Sequence, residues 1–313
     1  VSIFLFFPFF HHPAGKIGEL AFGNVEQYNL HFSRFLRDNY LLTCACHFLM
    51  ADLHEERHFH ASRELQVYES WEAMGLRKDL LDVIAQRGWS SPSPIQSRAV
   101  VPISTGVSMV IQSQNGTGKT ATFLIGVLQR LKPGARKTQF VIVSPTRELA
   151  IQTGDILKSL GASTRSCVGG QSFGEDAKAL KTGIQCVSGT PGRVLQLIRE
   201  HYIEPSNIKA VVFDEADEML VSFKRTVTDI LESVRDDNIQ KVVITATVSE
   251  DVLEMQTAYL QQSLKIFVPK DELTLSNVAQ FVVKVESEEW KFDALCDLYQ
   301  NVAIELAVIF VNT

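Results

Sequence analysis

Short apolar runs alternate with amphipathic stretches through the middle of the chain. The apolar runs cover residues 109–111, 139–144, 164–168, 184–188, 210–213 and 241–245, and a stretch with helical spacing follows each of them. Two further helical patterns, over 76–88 and 94–103, come before the first run. Short apolar strands that alternate with helices are typical of a parallel sheet covered by helices on both faces. The pattern therefore predicts an α/β domain over residues 67–263.

A second pattern begins after a polar stretch at 264–277, which we interpret as a linker. Residues 278–285 are expected to form a strand, 288–302 a helix and 306–313 another strand. Three elements are too few to bury a sheet on both faces. We therefore expect residues 278–313 to be the start of a second α/β domain that is cut short.

The first 66 residues differ in composition from the rest of the chain. Seven of the eight histidines and ten of the nineteen phenylalanines lie within the first 60 residues. The opening VSIFLFFPFF is apolar but ten residues long, whereas a membrane-spanning helix needs about 20 residues. We expect that residues 1–49 are not part of the working protein, and that Met50 opens an N-terminal tail over 50–66.

Composition limits the class of protein. The chain has 313 residues, of which 45% are hydrophobic and 21% charged, and this suits one or two globular domains. Its five cysteines form no disulfide-like framework, so an intracellular setting is expected. The net charge of −6 gives no general attraction for nucleic acid. Any nucleic acid would have to bind in a local cleft.

The stretch SQNGTGKT at 113–120 lies between an apolar run and a helical pattern. A glycine loop in this position can direct backbone N–H groups at phosphates, and the helix N-terminus adds a favourable dipole. Lys119 would contact the β- and γ-phosphates, and the Thr120 hydroxyl would bind Mg²⁺. Gly116 and Gly118 would allow close approach of the backbone. The pattern favours nucleotide binding, and an ordinary turn is the alternative.

The sequence DEAD at 214–217 follows the apolar run 210–213. A carboxylate at that strand end can hold Mg²⁺, through water, together with Thr120. We assign this role to Asp214, and we expect Glu215 to orient or deprotonate the attacking water. The alternative is an acidic helix start, where Asp and Glu are common.

Seven segments stand in the order of the motifs of one family. They are GWSSPSPIQ (88–96), SQNGTGKT (113–120), PTREL (145–149), VGG (168–170), TPGR (190–193), DEAD (214–217) and TAT (245–247). Over residues 66–313 the chain resembles the DEAD-box ATP-dependent RNA helicases, which implies a RecA-like fold in both domains. Within that family it is similar to translation initiation factor 4A and especially to its exon-junction-complex paralogue.

The resemblance implies a site for ATP and Mg²⁺. Gln96 would hydrogen-bond the adenine edge and Trp71 would stack on the adenine ring, although a core position is the alternative for Trp71. The residues implied in nucleotide binding are Trp71, Trp89, Pro94, Gln96, Ser113, Gln114, Asn115, Gly116, Thr117, Gly118, Lys119 and Thr120.

The resemblance also implies a grip on the backbone of single-stranded RNA without sequence specificity. The residues implied are Pro145, Thr146, Arg147, Gly169, Gly170, Thr190, Pro191, Gly192 and Arg193. Ordinary turn and capping chemistry is the alternative for them. Asp217, Thr245 and Thr247 would couple ATP turnover to strand separation. A scaffold protein of an initiation or exon-junction type is a further expected partner, whereas DNA and membranes are not expected.

The family's second domain supplies arginines to the γ-phosphate, and such an arginine is worth ~10³–10⁵ in rate in comparable enzymes. Because the sequence stops at Thr313, we expect this chain alone to bind nucleotide weakly and hydrolyse it poorly. A non-catalytic module that docks on a scaffold, or interferes with an intact helicase, is the alternative function. Nucleus and cytoplasm are both compatible locations.

Overall fold

The computed structural model describes residues 2–8, 60–113, 116–132, 134–267, 278–285, 287–301, 307 and 309. The chain divides into two compact units. The larger comprises Glu56–Leu273, and the smaller comprises Val1–Glu55 together with Thr274–Thr313.

An eight-stranded sheet forms the centre of the larger unit. Its strands are β2 (His60–Ala61), β3 (Met109–Gln112), β4 (Phe140–Val143), β5 (Thr164–Cys167), β6 (Cys186–Gly189), β7 (Ala210–Phe213), β8 (Gln240–Thr245) and β9 (Leu264–Phe267). They lie in the order β2-β9-β3-β8-β7-β4-β6-β5. All neighbouring pairs are parallel except β2 with β9. The carboxyl ends of seven strands therefore meet at one edge of the sheet.

Eight α-helices accompany these strands in the described part of the larger unit. They are α1 (Lys78–Gln86), α2 (Gln96–Ser104), α3 (Lys119–Gln129), α4 (Arg147–Ser159), α5 (Phe173–Lys181), α6 (Pro191–Arg199), α7 (Ala216–Ser233) and α8 (Glu250–Tyr259). Two short 3₁₀ helices cover Glu72–Met74 and Pro205–Asn207. No helix among the described residues is long and apolar enough to cross a membrane.

The sheet has a hydrophobic cluster on each of its two faces. Residues that alternate along a strand enter different clusters. In β7, Ala210 and Val212 pack in one cluster, and Val211 and Phe213 pack in the other. Because side chains of a strand point alternately to its two faces, both faces are covered. The α/β architecture expected from the sequence, with a RecA-like parallel sheet, is confirmed.

The expected linker over 264–277 is wrong in its first four residues. Leu264–Phe267 form β9, which pairs in parallel with β3. Leu264 and Ile266 are buried, and the residues that alternate with them are partly exposed. This alternation is typical of a strand near a sheet edge. The remaining stretch, 268–277, lies outside the described residues.

The smaller unit contains β10 (Val278–Lys284) and α9 (Trp290–Asn301), close to the strand and helix that the sequence predicts. Its β1 (Ser2–Pro8) pairs with β10 in an antiparallel register from Ser2 with Lys284 to Pro8 with Val278. Of the predicted strand 306–313, all but residues 307 and 309 lie outside the described residues. Residues 9–59, which include most of the N-terminal extension 1–49 and of the tail 50–66, lie outside the described residues as well.

Candidate functional site

The described part of the loop after β3 contains two glycines with left-handed backbone conformations. Gly116 and Gly118 have φ angles of 81° and 89°, which are accessible to glycine at little cost. The hydroxyls of Ser113 and Thr117 lie 2.7 Å apart in a hydrogen bond across the loop. Ser113, which replaces a glycine of the general pattern, therefore contributes to closing the loop. Gln114 and Asn115 lie outside the described residues.

Lys119 and Thr120 open α3, directly after the loop. The Lys119 ammonium donates to the carbonyl oxygen of Ser113 at 2.8 Å, and the residue is 7% exposed. Burial lowers the pKa of Lys119, and the carboxylate of Asp214, the largest opposing influence, raises it. The ammonium is thus held against the mouth of the loop, next to an acidic strand end. Thr120 is partly exposed beside it.

Asp214 follows β7 and is 7% exposed. Its backbone N–H donates to the carbonyl oxygen of Val143 at 2.9 Å, which continues the pairing of β7 with β4. Burial raises the pKa of Asp214 to about 6, and the Lys119 ammonium acts in the opposite direction. A buried carboxylate with little solvation is stabilised by any further cation.

Glu215 has a left-handed backbone, with φ 53° and ψ 54°, where it caps α7. Non-glycine residues rarely adopt this conformation, and it costs of order 1–2 kcal/mol. Burial raises the pKa of Glu215, and a hydrogen bond with the Glu218 carboxyl adds to this rise. A carboxylate with a raised pKa is a better general base near neutral pH.

The last residue of DEAD joins the loop after β8. Asp217 Oδ2 accepts hydrogen bonds from both the backbone N–H and the hydroxyl of Thr247, at 2.9 and 2.7 Å. The Thr245 hydroxyl donates to the Thr247 carbonyl oxygen at 2.6 Å. The Thr245 carbonyl oxygen accepts from the Ser113 N–H at 3.2 Å. A continuous chain of hydrogen bonds therefore links the phosphate loop to DEAD through TAT.

Gln96 lies at the start of α2 and contacts the phosphate loop. Its Nε2 donates to the Gly118 carbonyl oxygen at 3.3 Å, and its Oε1 accepts from the Ser93 N–H at 2.7 Å. The Ser93 hydroxyl donates to the Thr117 carbonyl oxygen at 2.8 Å. A Cβ atom at Gly118 would lie 2.6 Å from Gln96 Nε2. Gln96 therefore supports the loop, in addition to any contact with a base. Pro94 is exposed on the same turn.

The structure favours the alternative core position for Trp71 over the stacking role. Trp71 is 3% exposed and packs in the hydrophobic cluster of the larger unit. Its indole N–H donates to the carbonyl oxygen of Trp89 at 3.0 Å. Because no open ring face remains, Trp71 acts as a core residue that positions Trp89. Trp89 itself is partly exposed, and the Arg87 guanidinium lies 5.1 Å from its ring centroid.

Three further motifs follow β4, β5 and β6 at the same edge of the sheet. Thr146 caps α4 by accepting from the Leu149 N–H at 3.3 Å. The exposed Arg147 reaches Gly170, where a Cβ atom would lie 2.8 Å from the Arg147 guanidinium. The Gly169 N–H donates to the Thr190 hydroxyl at 3.4 Å. The sheet thus brings PTREL, VGG and TPGR together, as expected from their places after strands.

TPGR opens α6 with unequal exposure of its residues. Pro191 is buried at the first helical turn, as is Pro145 after β4. Gly192 is exposed, and nothing within 4 Å would contact a Cβ atom there. The N-terminus of α6 can therefore be approached by a ligand at Gly192.

Arg193, one of the residues expected to contact RNA, is held by an ion pair within the protein. Its side chain is 9% exposed and forms an ion pair with Asp176, which is fully buried. The other oxygen of Asp176 accepts from Arg165 at 2.9 Å. Arg193 also donates to the Gln171 carbonyl oxygen at 2.7 Å. Sequence reasoning missed Asp176, because its partners are 11 and 17 residues away.

The donor set fits the magnesium ion of a nucleotide. Asp214 offers one buried carboxylate and Thr120 one hydroxyl at neighbouring strand and helix ends, and Mg²⁺ completes such a shell with phosphate oxygens and water. Among the described residues, no group of three or more His, Cys, Asp and Glu side chains is arranged to hold a metal.

The model of the DEAD/DEAH box helicase family matches residues 93–255, just over half of the chain. The chain belongs to this family. It is 44% identical over 269 residues to the ATP-dependent RNA helicase FAL1 of Candida albicans, covering 84% of this chain and 67% of that protein. It is 45% identical over 260 residues to FAL1 of Mycosarcoma maydis, covering 82% of this chain and 65% of that protein. The chain thus spans about two thirds of these relatives.

The crystal structure of a DEAD box protein from Methanococcus jannaschii shares the fold. Its TM-score is 0.62 at 27% identity, over 75% of this chain and 64% of that one. As a DEAD/DEAH box helicase, the chain carries its family motifs at one edge of one sheet. The structure brings together the glycine loop, DEAD, TAT and Gln96, whereas Trp71 packs in the hydrophobic cluster and Arg193 is paired with Asp176.

Proposed function

We propose that this chain binds ATP with Mg²⁺ and belongs to an RNA-stimulated ATPase and helicase. The single observation that carries the proposal is the placement of the Lys119 ammonium, the buried Asp214 and the left-handed Glu215 at the mouth of one glycine loop. Lys119 supplies a cation, Asp214 a carboxylate that can bind a metal ion, and Glu215 a general base, next to the backbone N–H donors of the loop. This combination suits phosphoryl transfer from a nucleoside triphosphate to water.

In this proposal the backbone N–H groups after Gly116 cradle the phosphates, and the Lys119 ammonium leaves the Ser113 carbonyl to contact the β- and γ-phosphates. Thr120 and Asp214 would hold Mg²⁺, which would supply positive charge to the phosphate oxygens. Glu215 accepts a proton from the attacking water. Its raised pKa favours that acceptance near neutral pH.

The partly exposed Trp89 and the Gln96 amide lie on the adenine side of the proposed site. An indole face offers stacking, and the Gln96 amide would contact the adenine edge by exchanging its bonds to Ser93 and Gly118 for a donor and an acceptor on the base. Because Trp71 holds the Trp89 carbonyl, its contribution to adenine binding is indirect.

Single-stranded RNA is the proposed polymer ligand at the carboxyl edge of β4, β5 and β6. Arg147, the Thr146 cap and the exposed Gly192 offer a cation, a hydroxyl and a helix N-terminus. Such groups contact phosphate and sugar, so binding would not depend on sequence. The FAL1 relatives are RNA helicases by name, which supports the same ligand. An initiation or exon-junction type scaffold is the proposed protein partner.

The test measures ATP binding and hydrolysis by the purified chain, with and without Mg²⁺ and poly-uridylate. We expect Mg²⁺-dependent ATP binding in the wild type and in Glu215→Gln, and its loss in Lys119→Ala. Hydrolysis, where it occurs, should rise with poly-uridylate and vanish in Glu215→Gln. Equal ATP binding by wild type and Lys119→Ala would refute the nucleotide site.

A further inference from the structure

A long stretch of the chain lacks carboxylates, and part of it crosses the edge of the sheet opposite the nucleotide site. Between Asp82 and Glu148 the sequence contains no Asp or Glu, although the net charge of the chain is −6. The same stretch contains eight basic residues, namely Arg87, Arg98, Lys119, Arg130, Lys132, Arg136, Lys137 and Arg147. Four of the eight lie in the short connection between α3 and β4. The positive charge is therefore concentrated in one place rather than balanced locally.

The fold adds a fifth cation to this connection. The Lys209 ammonium donates to the Arg130 carbonyl oxygen at 2.8 Å and lies 5.8 Å from the ring centroid of the buried Phe140. Lys209 directly precedes β7, and Gln139 directly precedes β4. We call the five residues Arg130, Lys132, Arg136, Lys137 and Lys209 the basic edge. It lies at the amino ends of parallel strands whose carboxyl ends carry DEAD and PTREL.

The backbone of the connection is fixed against the sheet. The Lys132 N–H donates to Gln139 Oε1 at 3.2 Å, and the Lys132 carbonyl oxygen accepts from Gln185 Nε2 at 3.5 Å. A Cβ atom at Gly183 would lie 2.9 Å from the Arg136 Cβ, so Arg136 packs against that turn. The cations are thus presented on an anchored segment.

Within the described residues, no side chain of the basic edge forms an ion pair with a carboxylate. The Arg130 guanidinium donates to the Gln240 amide oxygen, a neutral partner. The neighbouring Arg77, which donates to the Leu131 carbonyl oxygen, is already paired with Asp79. Burial lowers the pKa of Lys209, and the charges of Lys132 and Arg130 lower it further. Lys132 and Arg130 therefore repel Lys209, and an added anion would relieve that repulsion.

We propose that the basic edge is a docking surface for an acidic, Asp- and Glu-rich segment of a protein partner. Charge complementarity carries the proposal, because Arg and Lys without intramolecular carboxylates form charge-assisted hydrogen bonds with those of a partner. RNA fits this surface less well. The groups proposed to contact RNA phosphates lie at the carboxyl ends of β4, β5 and β6, whereas the basic edge lies at the amino ends of β4 and β7. The proposal is independent of the nucleotide site.

The test uses the whole chain and fluorescent poly-L-glutamate, with binding followed by anisotropy. The triple variant Lys132→Ala, Arg136→Ala, Lys137→Ala removes three exposed cations of the basic edge. The matched control, Lys158→Ala, Lys178→Ala, Arg199→Ala, removes the same charge elsewhere on the surface. We expect the first variant to bind poly-L-glutamate about tenfold more weakly and the control to bind as the wild type does. Binding should weaken as salt is added, because exposed charges are screened.

Two outcomes would overturn the proposal. Equal weakening in both triple variants would show a general effect of net charge. A loss of poly-uridylate binding as large as that of poly-L-glutamate in the first variant would assign the surface to RNA. Thermal unfolding of the wild type and of both triple variants checks that all three proteins are folded. Lys119→Ala, which disables the nucleotide site, is expected to leave poly-L-glutamate binding unchanged, so failure of either proposal is recognised separately.

Discussion

Asp217 holds Thr247 through one carboxylate oxygen, which accepts from both the backbone N–H and the hydroxyl of that residue. Asp217 lies in the first turn of α7, whereas Thr247 lies in the loop after β8. The two motifs DEAD and TAT are thereby fixed to each other. Since the Thr245 carbonyl oxygen also accepts from the Ser113 N–H at the start of the phosphate loop, a movement of that loop would be transmitted to TAT.

The Thr247 hydroxyl is expected to stabilise this junction. Thr247→Val keeps the shape of the side chain and removes the donor, so the free energy of unfolding in urea should fall by about 1 kcal/mol. Thr247→Ser retains the hydroxyl and serves as the control. Equal stability of wild type and Thr247→Val would show that the hydroxyl bond to Asp217 contributes nothing.

Asp214 predicts a pH dependence of stability. Its pKa is about 6 in the folded chain against 3.8 for an unperturbed Asp. Between these values the folded state binds more protons than the unfolded state, so stability falls as pH rises through this window. The difference corresponds to about 3 kcal/mol. Urea unfolding at several pH values should show this slope in the wild type.

Asp214→Asn provides the control for that slope, because an amide does not titrate. The variant should be more stable than the wild type at neutral pH and should lose the Asp214 contribution to the pH dependence. It should also lose Mg²⁺-dependent ATP binding. For the wild type, ATP binding should weaken as pH falls below about 6, since protonation removes the metal-binding charge. Identical slopes in both proteins would contradict the assignment.

The buried pair of Asp176 with Arg193 predicts a large stability effect. Asp176→Asn leaves Arg193 without its counter-charge in a nearly closed environment, and such a loss costs about 3–5 kcal/mol. Asp229 pairs with Arg199 at the surface, where the arginine side chain is 64% exposed. Asp229→Asn should therefore cost less than about 1 kcal/mol. Chemical denaturation of the two variants compares these values, and similar losses would contradict the burial argument.

Substitution of Trp71 is expected to change the stability of the chain, and substitution of Trp89 is expected to change nucleotide binding. Trp71→Ala should destabilise the chain by about 3–5 kcal/mol, as for other large core residues. Trp71→Leu keeps an apolar core side chain and removes the ring, so it should keep the affinity of the folded chain for ATP if Trp71 does not stack. Trp89→Ala should weaken ATP binding about tenfold if its ring stacks on adenine. Titration of a fluorescent ATP analogue measures both affinities, and a weaker ATP affinity in Trp71→Leu alone would support stacking by Trp71.

Local patterns in the sequence were sufficient for most of the architecture. The apolar run 210–213 coincides with β7, and the run 241–245 with all but the first residue of β8. Continuous apolar runs identify strands that are buried on both faces. β9 was missed because its Leu264 and Ile266 alternate with partly exposed residues, which resembles a linker in sequence.

Site residues that belong to short sequence motifs were predictable. The burial of individual side chains was not, because it depends on residues that are distant in the sequence. Lys119, Asp214 and Gln96 were placed by motif spacing and lie together in the structure. The burial of Trp71 and Arg193 depends on neighbours far away in sequence, namely Trp89 and Asp176, and no motif records such neighbours. The left-handed conformation of Glu215 was equally hidden, because residue type alone gave no reason to expect it.

The left-handed backbone of Glu215 lowers the stability of the fold, whereas its carboxyl group serves the proposed hydrolysis. Glycine would occupy the position of Glu215 without the cost of a left-handed Cβ atom, so Glu215→Gly should not destabilise the fold. The same change deletes the carboxyl group that the proposed hydrolysis needs. Selection for a more robust molecule alone would favour glycine there. The left-handed backbone of Glu215 is therefore a local cost that accompanies the placement of a carboxyl group at the proposed site.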